Sequence, residues 1–224
     1  MFLYNELQKR ESNQDRIKVG LVGAGKFGSM FLSQVPFSIG LEVVSIADIS
    51  VQNARKNCMD VGWTDDRIKS VLFFDSLKKM IAETKIDVLV EATGDPIEGT
   101  KHALLAIEEG IDIIMVNVEA DVLCGSYLAE KAKKANVVYS MAYGDQPSLT
   151  TELVEWAKVS GFKIVAAGKG TKYLPQYHYS TPDTVWDYYG LNKEEASSAG
   201  MNSRMFNSFL DGTKSALEMA AVSL

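Results

Sequence analysis

Apolar residues in this chain fall into two kinds of pattern, short continuous runs and longer stretches where they recur every three or four positions. The runs at 17–22, 41–47, 71–74, 87–92, 111–116 and 137–141 read as strands, and the one at 87–92 suits a strand covered on both faces. Between them lie helical patterns. One spans 26–34 and is closed by Pro36, and one has Leu77, Met80 and Ile81 as its apolar face. A third covers 97–109, between Pro96 at its entry and Gly110 at its exit, and a fourth covers 126–135. Residues 1–14 read as a short outer helix, and 57–70 as helix and then loop. Strands alternating with helices of about ten residues make a βαβ series and predict an α/β fold with a doubly wound parallel sheet.

Beyond Pro147 the character changes. Leu149, Leu153, Trp156 and Ala157 form the stripe of a helix ending at Gly161, and 162–167 reads as a strand. An aromatic stretch with Tyr177, His178, Tyr179, Trp186, Tyr188 and Tyr189 either lines a pocket or packs a second small core or subunit interface. Short helices are expected at 192–199 and 211–222. These patterns predict a dinucleotide-binding domain over 1–147 and a smaller α+β substrate domain over 148–224.

The chemistry starts at Gly23-Ala24-Gly25-Lys26-Phe27-Gly28, which follows the first strand and opens a helix. This is the G-x-G-x-x-G turn of a Rossmann unit: one glycine for the tight turn, one for backbone approach to a pyrophosphate, one for close packing of helix on strand. The helix start, with Lys26 and Phe27, offers free N–H groups to the phosphates. Asp48 ends the second strand about 20 residues after Gly28, where a carboxylate accepts the hydroxyls of an adenosine ribose. Arg55 and Lys56 follow, so both NAD and NADP stay open as cofactor. In such sheets ligands bind beyond the carboxyl ends of the strands, and Gly23, Asp48, Thr93 with Gly94, Asn117 and Tyr143 all fall there. His102, among Lys101, Glu98 and Glu109, reads as a solvated residue.

Composition narrows the partners. A net charge of −6 without a basic run argues against nucleic acid, and the polar N-terminus lacks the apolar core of a signal peptide, so we expect a cytoplasmic protein without a membrane segment. Cys58 and Cys124 are too few for a disulfide framework and read as small buried residues.

These residues resemble the homoserine dehydrogenase family. The glycine turn, Glu-Ala-Thr-Gly at 91–94, Met115-Val116-Asn117, Gly-Asp-Gln-Pro at 144–147, Gly-Lys-Gly-Thr-Lys-Tyr at 168–173 and Asp211-Gly212 occur in the family's order. Aligned on Gly212, the family's Asp and Lys of the last helix are here Lys214 and Glu218, the same charges reversed. Glu119 stands near the family's Lys, and Lys169 and Lys172 replace neutral asparagines. The sequence is closer still to a homoserine dehydrogenase-like branch of SAF-domain oxidoreductases. That branch includes NADPH-dependent enzymes converting 1-deoxy-D-xylulose 5-phosphate to 2-C-methylerythritol 4-phosphate. The resemblance implies an NAD(P)-dependent oxidoreductase acting on a small polyol, sugar acid or sugar phosphate, a homo-oligomer, and a SAF-type region beyond residue 224.

For such a reaction Lys169, Lys172 and Lys214 are the candidates to stabilise an alkoxide or hold an anionic substrate. Glu119, Asp145 and Glu218 are candidates for general base or for a divalent metal, with Tyr143 as a proton carrier. The rival readings are a dinucleotide-binding regulatory protein without turnover, and a true homoserine dehydrogenase, which the exchange of Lys214 and Glu218 disfavours.

Overall fold

The computed structural model describes residues 2–223, and the chain divides after Ala142 into two compact units. The first holds, in order, α1 (Leu3–Ser12), β1 (Ile17–Val22), α2 (Lys26–Gln34), β2 (Leu41–Ala47), α3 (Val51–Asp60), α4 (Asp65–Ser70) and β3 (Leu72–Phe74). It continues with α5 (Leu77–Glu83), β4 (Val88–Glu91), α6 (Pro96–Glu108), β5 (Asp112–Met115), α7 (Val118–Ala135) and β6 (Tyr139–Met141). The strands form one parallel sheet in the order β3-β2-β1-β4-β5-β6. The doubly wound α/β architecture is therefore present, and the reversal of strand order lies between β1 and β4, where such sheets bind ligands.

Helices cover both faces because the central strands are apolar on both. Leu21 and Ile46 pack with Leu32, Ala54 and Cys58 from α2 and α3. On the opposite face Leu89, Ile113 and Met115 pack with Met80, Ala103, Ala106 and Leu128 from α5, α6 and α7. Cys58 has no exposed surface, and burial pushes its thiol up to about 11, so it acts as a small core residue.

Two boundaries differ from the pattern-based reading for local reasons. The stretch read as helix then loop is two helices, capped by Ser50 and Thr64, whose hydroxyls each accept a backbone N–H at 3.3 Å. Helix α7 starts at Val118 rather than at 126. The Asn117 side chain caps it by accepting the Ala120 N–H at 3.1 Å, and the helix kinks at Cys124, whose φ of −155° is not helical.

The second unit contains α8 (Gln146–Val159), α9 (Val185–Tyr189), α10 (Lys193–Ser198), α11 (Ser203–Leu210) and α12 (Thr213–Ser223), with a 3₁₀ turn at Pro175–Tyr179. The strand expected at 162–167 does not form: Phe162 is 62% and Val165 91% exposed, and no neighbouring strand satisfies the backbone. With that strand gone, the α+β character expected here gives way to helices and loops among the described residues. The aromatic stretch does pack a small core. Val185, Trp186 and Ala196 are buried and meet Phe206 of α11, with the Trp186 and Phe206 rings 5.3 Å apart. Helix α11, which the pattern did not reveal, starts where Asn202 Oδ1 accepts the N–H groups of Arg204 and Met205 at 3.0 and 3.2 Å.

Candidate functional site

The first unit carries a cradle at the carboxyl end of its sheet. Gly23 has φ +88°, and a Cβ there would lie 2.8 Å from the Ala92 carbonyl, so only glycine lets the turn press against the end of β4. A Cβ on Gly28 would fall 2.2 Å from the Gly23 carbonyl oxygen, and its absence seats the first turn of α2 on the glycine loop. Gly25 is different. Nothing lies within 4 Å of where its Cβ would be, and as N-cap it contributes no side chain. The first N–H groups of α2, from the exposed Lys26 and Phe27 onward, therefore face open space.

Asp48 leaves β2 and braces this loop: Oδ2 accepts the Ala24 N–H at 2.9 Å and Oδ1 the Ser50 N–H at 2.8 Å. A carboxylate oxygen accepts more than one bond, so Asp48 retains capacity for ribose hydroxyls. Gly23, Gly25, Asp48, Leu77, Thr93 and His102 line one cavity of about 430 Å³. Arg55 does not join them. Its guanidinium lies over the Phe73 ring at 4.1 Å and borders a separate hollow, and Lys56 is exposed on the same helix.

The loop after β4 is held from behind. Gly94, with φ +72°, turns the chain into Asp95, whose Oδ1 caps α6 by accepting the N–H groups of Ile97 and Glu98 at 2.9 and 2.8 Å. Asn117, proposed as a cofactor contact, is 1% exposed and donates to the Asp95 carbonyl at 2.8 Å while capping α7. Its amide positions the loop instead of facing the cavity. Asn117→Ala removes both a cap and a loop tie, so we expect about 2 kcal/mol of destabilisation, read as a lowered thermal unfolding midpoint.

His102 is not the solvated residue its neighbours suggested. Its side chain is 18% exposed, and Nδ1 lies 3.2 Å from Oε1 of Glu91, a carboxylate with no exposed surface at the end of β4. The signal was there in Glu91 itself, since an ionisable residue ending a strand buried on both faces needs a partner.

The second unit gathers charges around Glu218 of α12, which is 2% exposed. Lys169 Nζ bonds its Oε2, and Lys214 Nζ, one helical turn earlier, lies 3.9 Å from Oε1. Oriented with its nitrogen toward the carboxylates, the Gln146 amide donates to the same Oε1 at 3.1 Å and to Asp145 Oδ1. Asp145 also caps α8 by accepting the Gln146 N–H at 2.9 Å. The lysine side chains keep 29 and 30% of their surface against 3% for Glu218, so the cations are the accessible part and the carboxylate lies beneath them. Glu218 is thus a buried ion-pair partner of the two lysines, without the open access expected of a base.

The other candidates stand apart. Lys172 is exposed and outside the cluster, and Glu119 lies at the start of α7 in the first unit. Tyr143 is 76% exposed and donates its hydroxyl to Glu152 at 2.7 Å, which raises its pKa. Gln146 was passed over, although it lies within the Gly-Asp-Gln-Pro motif. Among the described residues no three His, Cys, Asp or Glu side chains gather as metal ligands, and no helix is long and apolar enough to cross a membrane.

Known proteins agree with this division. Residues 144–223 match the model described as oxidoreductase DRL, catalytic domain. Inositol 2-dehydrogenase from Rubrobacter xylanophilus is 28% identical over 166 residues, covering 74% of this chain and 38% of that protein. The WlbA dehydrogenase from Bordetella pertussis, solved with NADH and UDP-GlcNAcA, shares the fold at a TM-score of 0.50 and 20% identity, over 65% of this chain and 43% of its own. An oxidoreductase from Agrobacterium radiobacter, solved with NAD+, L-tartaric acid and magnesium, does so at 0.50 and 16% identity, over 65% and 41%. The chain thus spans well under half the length of these relatives. Residues 19–142, more than half of the chain, match the homoserine dehydrogenase, NAD binding domain model. The protein accordingly belongs to that NAD-binding family.

Proposed function

We propose that the chain is an NAD-dependent oxidoreductase that moves a hydride between the nicotinamide and a hydroxyl-bearing carbon of a small polyol, sugar acid or sugar phosphate. The observation that carries this reading is the second unit's cluster, in which a buried carboxylate holds two partly exposed lysines. When bound, NAD supplies the hydride acceptor. Lys169 and Lys214 supply positive charge for a developing alkoxide and for a carboxylate or phosphate on the substrate. Glu218, fixed by Gln146, keeps both ammonium groups in place, and in the reducing direction either can give the proton that the new hydroxyl takes up. The similarity to an inositol dehydrogenase and to the DRL catalytic domain supports a polyol-like substrate. A dinucleotide sensor has no use for lysines held over a buried carboxylate, and the reversed Lys214 and Glu218 argue against homoserine as substrate.

The cofactor preference follows from the cradle. Asp48 and Asp75 line the cavity, and Arg55, the nearest strong cation in sequence, is stacked elsewhere, so a ribose 2′-phosphate meets anions without a counter-charge. We expect NAD+ to bind at least about tenfold more tightly than NADP+, or about 1.4 kcal/mol. The test offers myo-inositol, sorbitol and gluconate with each dinucleotide and follows reduced-nicotinamide absorbance. Reduction of NAD+ supports the proposal, equal use of NADP+ overturns the preference, and binding without turnover of any of the three favours the sensor.

A further inference from the structure

Glu91 has no exposed surface, yet its Oε1 accepts the Thr93 hydroxyl at 2.5 Å and the Thr93 N–H at 3.3 Å and lies 3.2 Å from His102 Nδ1. Its Oε2 has no partner among the described residues. With two donors already on it, that oxygen is an acceptor, and a nitrogen beside it is placed to donate. With the other oxygen bare, the carboxylate loses heavily if the Nδ1–H is withdrawn. The imidazole proton is therefore held on Nδ1, which leaves Nε2, across the ring, as a lone-pair acceptor.

His102 shares the cavity of Gly25 and Asp48. The acidic side chains around it are already engaged: Asp75 with Lys79 at 2.6 Å, Glu98 with Lys101 at 2.7 Å, Asp95 as the cap of α6, and Asp48 bracing the glycine loop. Nε2 has no partner among the described residues. The next step rests on the NAD reading above. With the pyrophosphate at Gly25 and the adenosine ribose at Asp48, the base falls to the rest of the cavity, where the exposed Ile49 offers apolar surface and His102 a polar edge. We propose that His102 Nε2 accepts the 6-amino group of adenine. Glu91, by holding the tautomer, makes the site select an amino purine over an oxo purine.

The test compares NAD+ with nicotinamide hypoxanthine dinucleotide, which carries an oxygen in place of the 6-amino group, by calorimetry on wild type, Glu91→Gln and His102→Leu. In wild type the oxo analogue sets an acceptor against an acceptor and should bind about tenfold more weakly. In Glu91→Gln the new amide can donate to Nδ1, the ring proton can move to Nε2, and the preference should shrink to about threefold or reverse. His102→Leu should bind both dinucleotides alike. Equal binding in wild type overturns the proposal, as does a preference unchanged in both variants or an equal loss for both ligands that leaves the ratio intact. If neither dinucleotide binds wild type, the NAD reading itself fails and this inference falls with it.

Discussion

Lys169→Met is expected to lower kcat/KM by about a hundredfold with whichever polyol or sugar acid the protein oxidises. Methionine keeps an unbranched apolar stem of similar length and removes only the ammonium group. Lys169 bonds the Oε2 of Glu218, while Lys214 sits 3.9 Å from the other oxygen, so Lys169 is the more tightly fixed of the two cations. A fixed charge stabilises an alkoxide better than a mobile one because no reorganisation is needed when the charge develops. The variant should also be less stable by roughly 3 kcal/mol, since Glu218 would remain buried with one distant cation. A second variant separates the two effects. In Lys169→Met/Glu218→Gln the uncompensated carboxylate is gone, so the unfolding midpoint should recover while activity stays low. Activity returning to within about threefold of wild type in that double variant would reduce Lys169 to a structural ion pair.

Much of the first unit was legible in the sequence because its strands are buried on both faces and its turns have narrow steric requirements. Ile17–Val22 and Leu41–Ala47 are mostly apolar runs, broken only by Lys18, Glu42 and Ser45, and their bounds read directly. Gly23 and Gly28 are demanded by backbone approaches of 2.8 and 2.2 Å, and such demands leave a spacing that pattern reading detects. What escaped depends on contacts between distant segments. Phe162 to Ala167 has strand-forming residues, but strand formation needs a partner, and local pattern cannot report the lack of one. Asn117 sits at a strand end like a ligand residue, yet its amide is drawn to a loop 22 residues earlier. His102 and Glu91 are 11 residues apart, and the pair forms because β4 and α6 bring them together. In the second unit the charges at Lys169, Lys214 and Glu218 were found by departure from a family pattern. Their order of depth, carboxylate below and lysines above, required the packing of α12.

The glycine loop allows the most direct test of the dinucleotide site, because its glycines are required for different reasons. A side chain at Gly28 collides with the Gly23 carbonyl, so its replacement confounds folding with binding. Gly25 has open space where its Cβ would be and a negative φ of −69°, so a Cβ there meets no protein atom. The space it enters is the cavity beside the first N–H groups of α2, the kind of helix start that holds a pyrophosphate. Replacing a capping glycine costs about 1 kcal/mol or less in helix stability. Calorimetric titration of NAD+ into Gly25→Val, alongside its thermal unfolding, is therefore the decisive measurement. If this loop holds the dinucleotide, Gly25→Val should unfold within a few degrees of wild type and bind NAD+ about a hundredfold or more weakly, near 2.7 kcal/mol. A folded Gly25→Val protein that binds NAD+ as tightly as wild type would contradict that placement.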